Sequence, residues 1–228
     1  MYKTALLATA AALLLTAAGA EAATPSVGAH GSTIVPGIHL AKGARMLYDQ
    51  NSDSTGTGLA SMNFTSSLTN EDSYGADDFV IPKRRTWTVR EVDVSGVYYN
   101  GIGPANDENV VFYTDAKGKP GKAIKKGSFA DLQCEDSAGS FSCSLGRKGL
   151  KLSSGRYWVS VYADMDFVSG AGQWGWYIRD PIRNDPAVWE NPGDGYGTGC
   201  TTWGELGTCV GYSGDFMFDL QGKSERGR

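Results

Sequence analysis

Histidine is nearly absent from this 228-residue chain, and its placement excludes more than its scarcity. The two histidines, His30 and His39, both stand in a proline-containing N-terminal stretch, so the body that follows has none. That removes the commonest general base and weighs against Ser-His or metal-dependent hydrolysis. A G-x-S-x-G nucleophile elbow is missing as well, and Gly96, Gly101 and Gly103 form no phosphate loop because no helix follows them. Long apolar runs are scarce. The one from Ala5 to Ala18 is shorter than the ~20 residues of a membrane span, and no later segment comes close. No window of ~12 residues repeats apolar residues every 3.6 positions, which leaves little room for helix. Positive charge is not in excess either. A net charge of −4 lacks the field that phosphate backbones reward, which argues against nucleic acid as the main partner.

What is present begins with MYKTALLATAAALLLTAAGAEA: a positive start at Lys3, an apolar run, and Ala20-Glu21-Ala22 fitting the small-x-small cleavage rule. This reads as a secretory signal over 1–22, followed by an extended leader over 23–44, one domain over 45–222 and a polar tail over 223–228. The tail carries no wall-sorting motif, and the expected location is extracellular or periplasmic. The chain's 31 glycines and 11% aromatic residues suit short strands joined by tight turns.

Period-2 patterning supports this. Along WTVREVDVSGVYY, Trp87, Val89, Glu91, Asp93 and Ser95 alternate with Thr88, Arg90, Val92, Val94 and Gly96, and the phase slips near Glu91 as at a β-bulge. NVVFYTDAKGKPG ends in a turn, GRYWVSVYADMDF is the strongest strand, and QWGWYI and DFMFDLQG add more. The expected fold is all-β: an antiparallel two-sheet sandwich, jelly-roll-like by first choice.

Four cysteines fall in two C-x8-C pairs, Cys134 with Cys143 and Cys200 with Cys209. In an exported chain this spacing predicts two local disulfides, each closing a loop of ~10 residues worth about 2.7 kcal/mol of unfolded-chain entropy. A zinc site is disfavoured because neither loop contains histidine or a C-x2-C knuckle.

The densest unusual segment, from Ser169 to Cys209, holds Trp174, Trp176, Tyr177, Trp189, Tyr196 and Trp203. Flat rings beside Asp, Asn and Arg suit sugar rings and their hydroxyls, so Trp189, Trp203, Tyr196, Trp174 and Trp176 are the candidate ligand contacts. Trp174 and Trp176 are two apart and share a strand face, which fits a core equally well. No catalytic residue is assigned. Glu190 and Glu205 are the carboxylates a glycoside hydrolase would use. Asp49, Asn51 and Asp53 alternate as in a calcium loop, but Ser54 stands at its glycine and Ala60 at its closing glutamate, so a solvated turn is the better reading. Asp77-Asp78 and Asp164-Met165-Asp166 are further donors for structural calcium, without a defined site; no other cofactor is expected. Lys117–Lys126 and the PKRR stretch at Pro82–Arg85 read as solvated turns and edge-strand guards, with an anionic wall polymer as the functional alternative.

Taken in order, MLYDQ, GADDFVIP, WTVREVDVSGVYYNGIGPA, VVFYTDAKGKPG, GRYWVSVYADMDF, QWGWYIRDP, AVWENPGDGYGTGCTTW and DFMFDLQG resemble a family of secreted or cell-surface bacterial β-sandwich modules. The resemblance spans Met46 to Gly222. It implies the sandwich and the export route, and no catalytic residues. The expected function is a non-enzymatic binding module for carbohydrate or a surface polymer. The alternatives are an adhesive protein with a protein partner, marked by a broad apolar surface, and a hydrolase using Glu190 or Glu205.

Overall fold

The computed structural model describes residues 44–65 and 68–227; the expected signal over 1–22 and the expected leader up to residue 43, with both histidines, lie outside them, as do residues 66–67 and 228. Among the described residues the expected class holds: two antiparallel sheets, two disulfides, and a single four-residue α-helix, α1 (Leu206–Cys209).

The larger sheet runs in the order β1 (Arg45–Asp49), β15 (Phe218–Arg226), β4 (Tyr74–Val94), β10 (Leu150–Met165), β6 (Asp107–Asp115) and β7 (Pro120–Leu132). Short strands extend it. β12 (Val188–Glu190) and β13 (Gly204–Glu205) line the start of β4, β8 (Glu135–Ser137) and β9 (Ser140–Ser144) its end, and β3 (Met62–Phe64) lies parallel to β10. The smaller sheet centres on β11 (Gln173–Arg179), flanked by β2 (Ser54–Ala60), β5 (Gly96–Tyr99) and β14 (Asp215–Phe216).

Alternation decides which side chains fill the space between the sheets. Phe79, Ile81, Trp87 and Val89 of β4 are buried there, and the phase then shifts to Val92 and Val94. Glu91 opposes Gln221 and Val89 opposes Gly222, so Arg90 has no partner on β15. The slip expected near Glu91 is therefore a bulge at Arg90. Val159, Val161 and Ala163 of β10 join this core, while Trp158, Ser160, Tyr162 and Asp164 alternate onto the outer face. Trp174 and Trp176 stack with centroids 6.5 Å apart, against Phe141 and Phe216. The Trp174 indole lies on Gly96, where a Cβ would stand 2.6 Å from ring atoms, so that position admits only glycine.

Two charged stretches part company. β7 is an edge strand with exposed Lys122, Lys125 and Lys126, as the guard reading requires. Pro82–Arg85 lies mid-sheet. Ile81 pairs with Gly155 and Thr86 with Ser153, so these four residues bulge relative to β10, while Arg85 keeps its pairing with Arg226 of β15; they do not guard an edge. Of residues 49–58, Asp49 ends β1 and residues 54–58 lie in β2; in the connection Gln50 and Asn51 are buried, so the expected solvated turn holds only for Ser52 and Asp53, with Asp53 3.3 Å from the Arg179 guanidinium.

Candidate functional site

Burial corrects most of the aromatic candidates. Trp174, Trp176 and Trp189 are 0% exposed and Tyr196 is 7% exposed, so none of the four offers a ring face to a ligand. Their polar atoms explain why burial is tolerated. The Trp174 indole N–H donates to the Gly139 carbonyl (2.7 Å), that of Trp176 to Met217 (2.7 Å) and that of Trp189 to Ala60 (2.8 Å). Tyr196 packs against Trp189 with centroids 5.9 Å apart. These rings serve the core by the area they remove from water.

Trp203 differs. It is half-buried on the outer face of the large sheet, against Ala76, Trp158 and Val188, and meets Tyr113 edge-on at 6.0 Å. The register assembles the rest of this face. Glu190 opposes Tyr74 across β12 and β4, Val188 opposes Ala76, and Ala76 opposes Ser160 across β4 and β10. Tyr162 opposes Asn109 and Trp158 opposes Tyr113 across β10 and β6. Tyr74 and Tyr162 meet edge-on at 4.9 Å. Four half-buried rings, Tyr74, Tyr113, Tyr162 and Trp203, thus surround Glu190 and Ser160. The Ser160 hydroxyl is fully buried beneath them without a hydrogen-bond partner among the described residues, an unusual state for a buried polar atom.

The electrostatics of this face are those of a partly dry surface. Burial pushes the Glu190 carboxyl up to about 7, opposed by a hydrogen bond from the Trp203 backbone N–H. Burial also raises the phenols of Tyr74, Tyr113 and Tyr162, so they stay protonated as donors. Tyr74 donates to Asn63 Oδ1 (2.6 Å). Beyond Tyr162, carboxylate oxygens of Asp107, Asp131 and Asp164 lie within 4.8 Å of one another. Asp164 accepts from Asn63 (2.9 Å) and Asn109 (3.0 Å), and burial, then Asp164, raises Asp107 to about 6. The other calcium donors go elsewhere. Asp166 closes a turn by accepting from the Val168 N–H (3.1 Å), and Asp77, between the sheets, accepts from Gln50 (2.7 Å) and the Phe216 N–H (2.6 Å).

Glu205 is exposed and opposes Val188, with Glu190 two positions further along β12, so the two acids are diagonal neighbours across β12 and β13. The Cys200–Cys209 disulfide closes the loop that carries Trp203, and the Lys119 ammonium holds the Trp203 carbonyl at 3.1 Å. The stripe of Ser160 and Tyr162 is accessible to period-2 reading. Both faces of β10 are rich in large side chains, however, so the pattern does not say which face is inside.

No family model and no curated protein matches the chain. Among solved structures it is similar to the cysteine protease and lectin-like domains of Cwp84, a surface layer associated protein of Clostridium difficile, at 10% identity and a TM-score of 0.45. The overlap covers 68% of this chain and 32% of that one, and it assigns none of the residues above.

Proposed function

We propose that this chain is a secreted, non-enzymatic binding module of the bacterial β-sandwich kind it resembles, and that it holds a carbohydrate on the outer face of the large sheet. The observation that carries this reading is the ring of Tyr74, Tyr113, Tyr162 and Trp203, left half-exposed around Glu190 and the unpartnered Ser160 hydroxyl. Partly exposed rings on rigid strands stack on apolar sugar faces, while protonated phenols and a carboxyl bind hydroxyls. Disulfides suit an oxidising compartment, and among the described residues no helix is long and apolar enough to cross a membrane. The adhesive alternative asks for a broad apolar surface. Among the described residues the exposed large apolar side chains are Val80, Ile102, Phe167, Val168 and Ile182; Phe167 and Val168 share one turn, which the Gly103 N–H to Ala171 carbonyl bond (2.9 Å) ties to the Ile102 loop, so an adhesive contact would centre there and not on the aromatic face.

Retention of the purified protein on a polysaccharide panel tests this. Wild-type protein is expected to bind one class, with Tyr162→Ala and Trp203→Ala each weakening binding at least ~10-fold while the unfolding transition stays cooperative. No retention, or unchanged binding in both variants, overturns it. The diagonal placement of Glu190 and Glu205 supports a second reading as a glycoside hydrolase. Release of reducing sugar by the wild type but not by Glu190→Gln would replace binding with turnover.

A further inference from the structure

Apart from this face, the bulge at Pro82–Arg85 forms a basic groove. A cavity of about 370 Å³ is lined by Lys83, Arg84, Arg85, Arg226 and Gly227. All four cations are exposed, and among the described residues none has a carboxylate within ion-pairing distance. The nearest acid in sequence, Glu225, is turned to Lys151 at 3.9 Å. The backbone concentrates this charge in two ways. Arg84 adopts a positive φ of 60°, which only a few percent of side-chain-bearing residues do, and its carbonyl accepts from the Gly227 N–H (2.9 Å), tying the bulge to the end of β15. Arg85 then stands directly opposite Arg226 across β4 and β15, and like charges in directly opposed positions destabilise a sheet.

A solvated turn would disperse such charge, whereas a chain of net charge −4 here gathers four unpaired cations around one groove. We propose that this groove binds the anionic groups of an acidic polysaccharide. The occupant follows from charge complementarity. Guanidinium forks grip carboxylate or phosphate oxygens in pairs of hydrogen bonds, and three arginines with one lysine suit a substituent repeated along a polymer. The chain's own acidity makes the attraction local to the groove, which selects against long, uniformly charged duplexes.

The test measures retention at low and high salt on polygalacturonate, on a phosphate-substituted polysaccharide (phosphomannan), on uncharged dextran and on double-stranded DNA. Wild-type protein is expected to bind one or both of the first two polymers, to release them at high salt, and to ignore dextran. Polygalacturonate and the phosphate polymer separate a carboxylate source from a phosphate source. Arg85→Gln with Arg226→Gln is expected to lose at least tenfold in affinity, and to unfold at a higher urea concentration without ligand because the opposed charges are gone. Trp203→Ala should retain the anionic polymer unchanged, so this result is independent of the aromatic face. Absence of binding at low salt, equal binding by the double variant, loss of binding in Trp203→Ala, or stronger retention on DNA than on both anionic polysaccharides overturns the assignment.

Discussion

Trp189 and Trp203 stand fourteen positions apart in the same turn-rich stretch, and their surroundings assign them opposite tasks. Trp189 is fully buried with its indole N–H bonded to the Ala60 carbonyl, so truncation leaves both a cavity and an unpaired acceptor. Trp189→Ala is expected to lower stability by about 3–5 kcal/mol, read from the urea midpoint. Trp203 lies half-exposed over Trp158 and Val188, and Trp203→Ala should cost far less, about 1–2 kcal/mol, because part of its area is already in water. Equal losses for the two would contradict this division. The sequence singles out both residues but does not separate them, because the backbone around each is rich in glycine and proline and its depth is set by partners distant in sequence. Ser160 and Tyr162 show as a period-2 stripe, but sequence does not join them to Tyr74 for the same reason: their common face exists only once β4 and β10 pair.

At the level of elements, local chemistry is the legible part. The bulge at Arg90, the turn after Asp115 and both disulfides follow from phase, turn residues and spacing within short windows. The role of Pro82–Arg85 does not, since a basic run in an edge strand and one bulged from a central strand look alike in sequence. The Cys200–Cys209 loop joins β13 and α1 to the outer face, and the Trp203 backbone N–H reaches Glu190 from it. Replacing Cys200 and Cys209 together by serine is expected to cost about 2.7 kcal/mol in the loop-closure picture. It should also weaken carbohydrate retention more than the corresponding change at Cys134 and Cys143, which staples the β8–β9 hairpin. If the two pairs of variants lost binding equally, the loop would have no special part in presenting Trp203.

Across the described residues as a whole, more acid is buried than neutralised, and this governs how stability responds to pH. Burial raises Asp77 and pushes Asp215 up to about 6, Asp78 and Glu108 up to about 7 and Asp219 up to about 8. Partners offset the effect only in part. Arg156 stands 3.4 Å from Asp78, and Arg179 lies 3.8 Å from Asp215, but Asp219 faces Asp49 and Asp93, with the Asn51 amide as its side-chain donor. Each of these groups binds its proton more tightly in the folded chain than in the unfolded one, whose carboxyls titrate near 4. The folded state therefore holds more protons between about pH 4 and pH 8, and stability must fall as pH rises through that window. Asp53, held low by Ser52 and Arg179, contributes in the opposite sense and is exposed. The carboxyls raised to about 7 and about 8 ionise within this window, so most of the loss falls between pH 5 and pH 8.5. Urea unfolding at fixed ionic strength should show a lower midpoint at pH 8.5 than at pH 5. Asp219→Asn should raise the midpoint at pH 8.5, leave it nearly unchanged at pH 5, and so flatten the profile. A midpoint that rose with pH would mean that these carboxyls are ionised in the fold, and that Arg156 and Arg179 outweigh the burial around them.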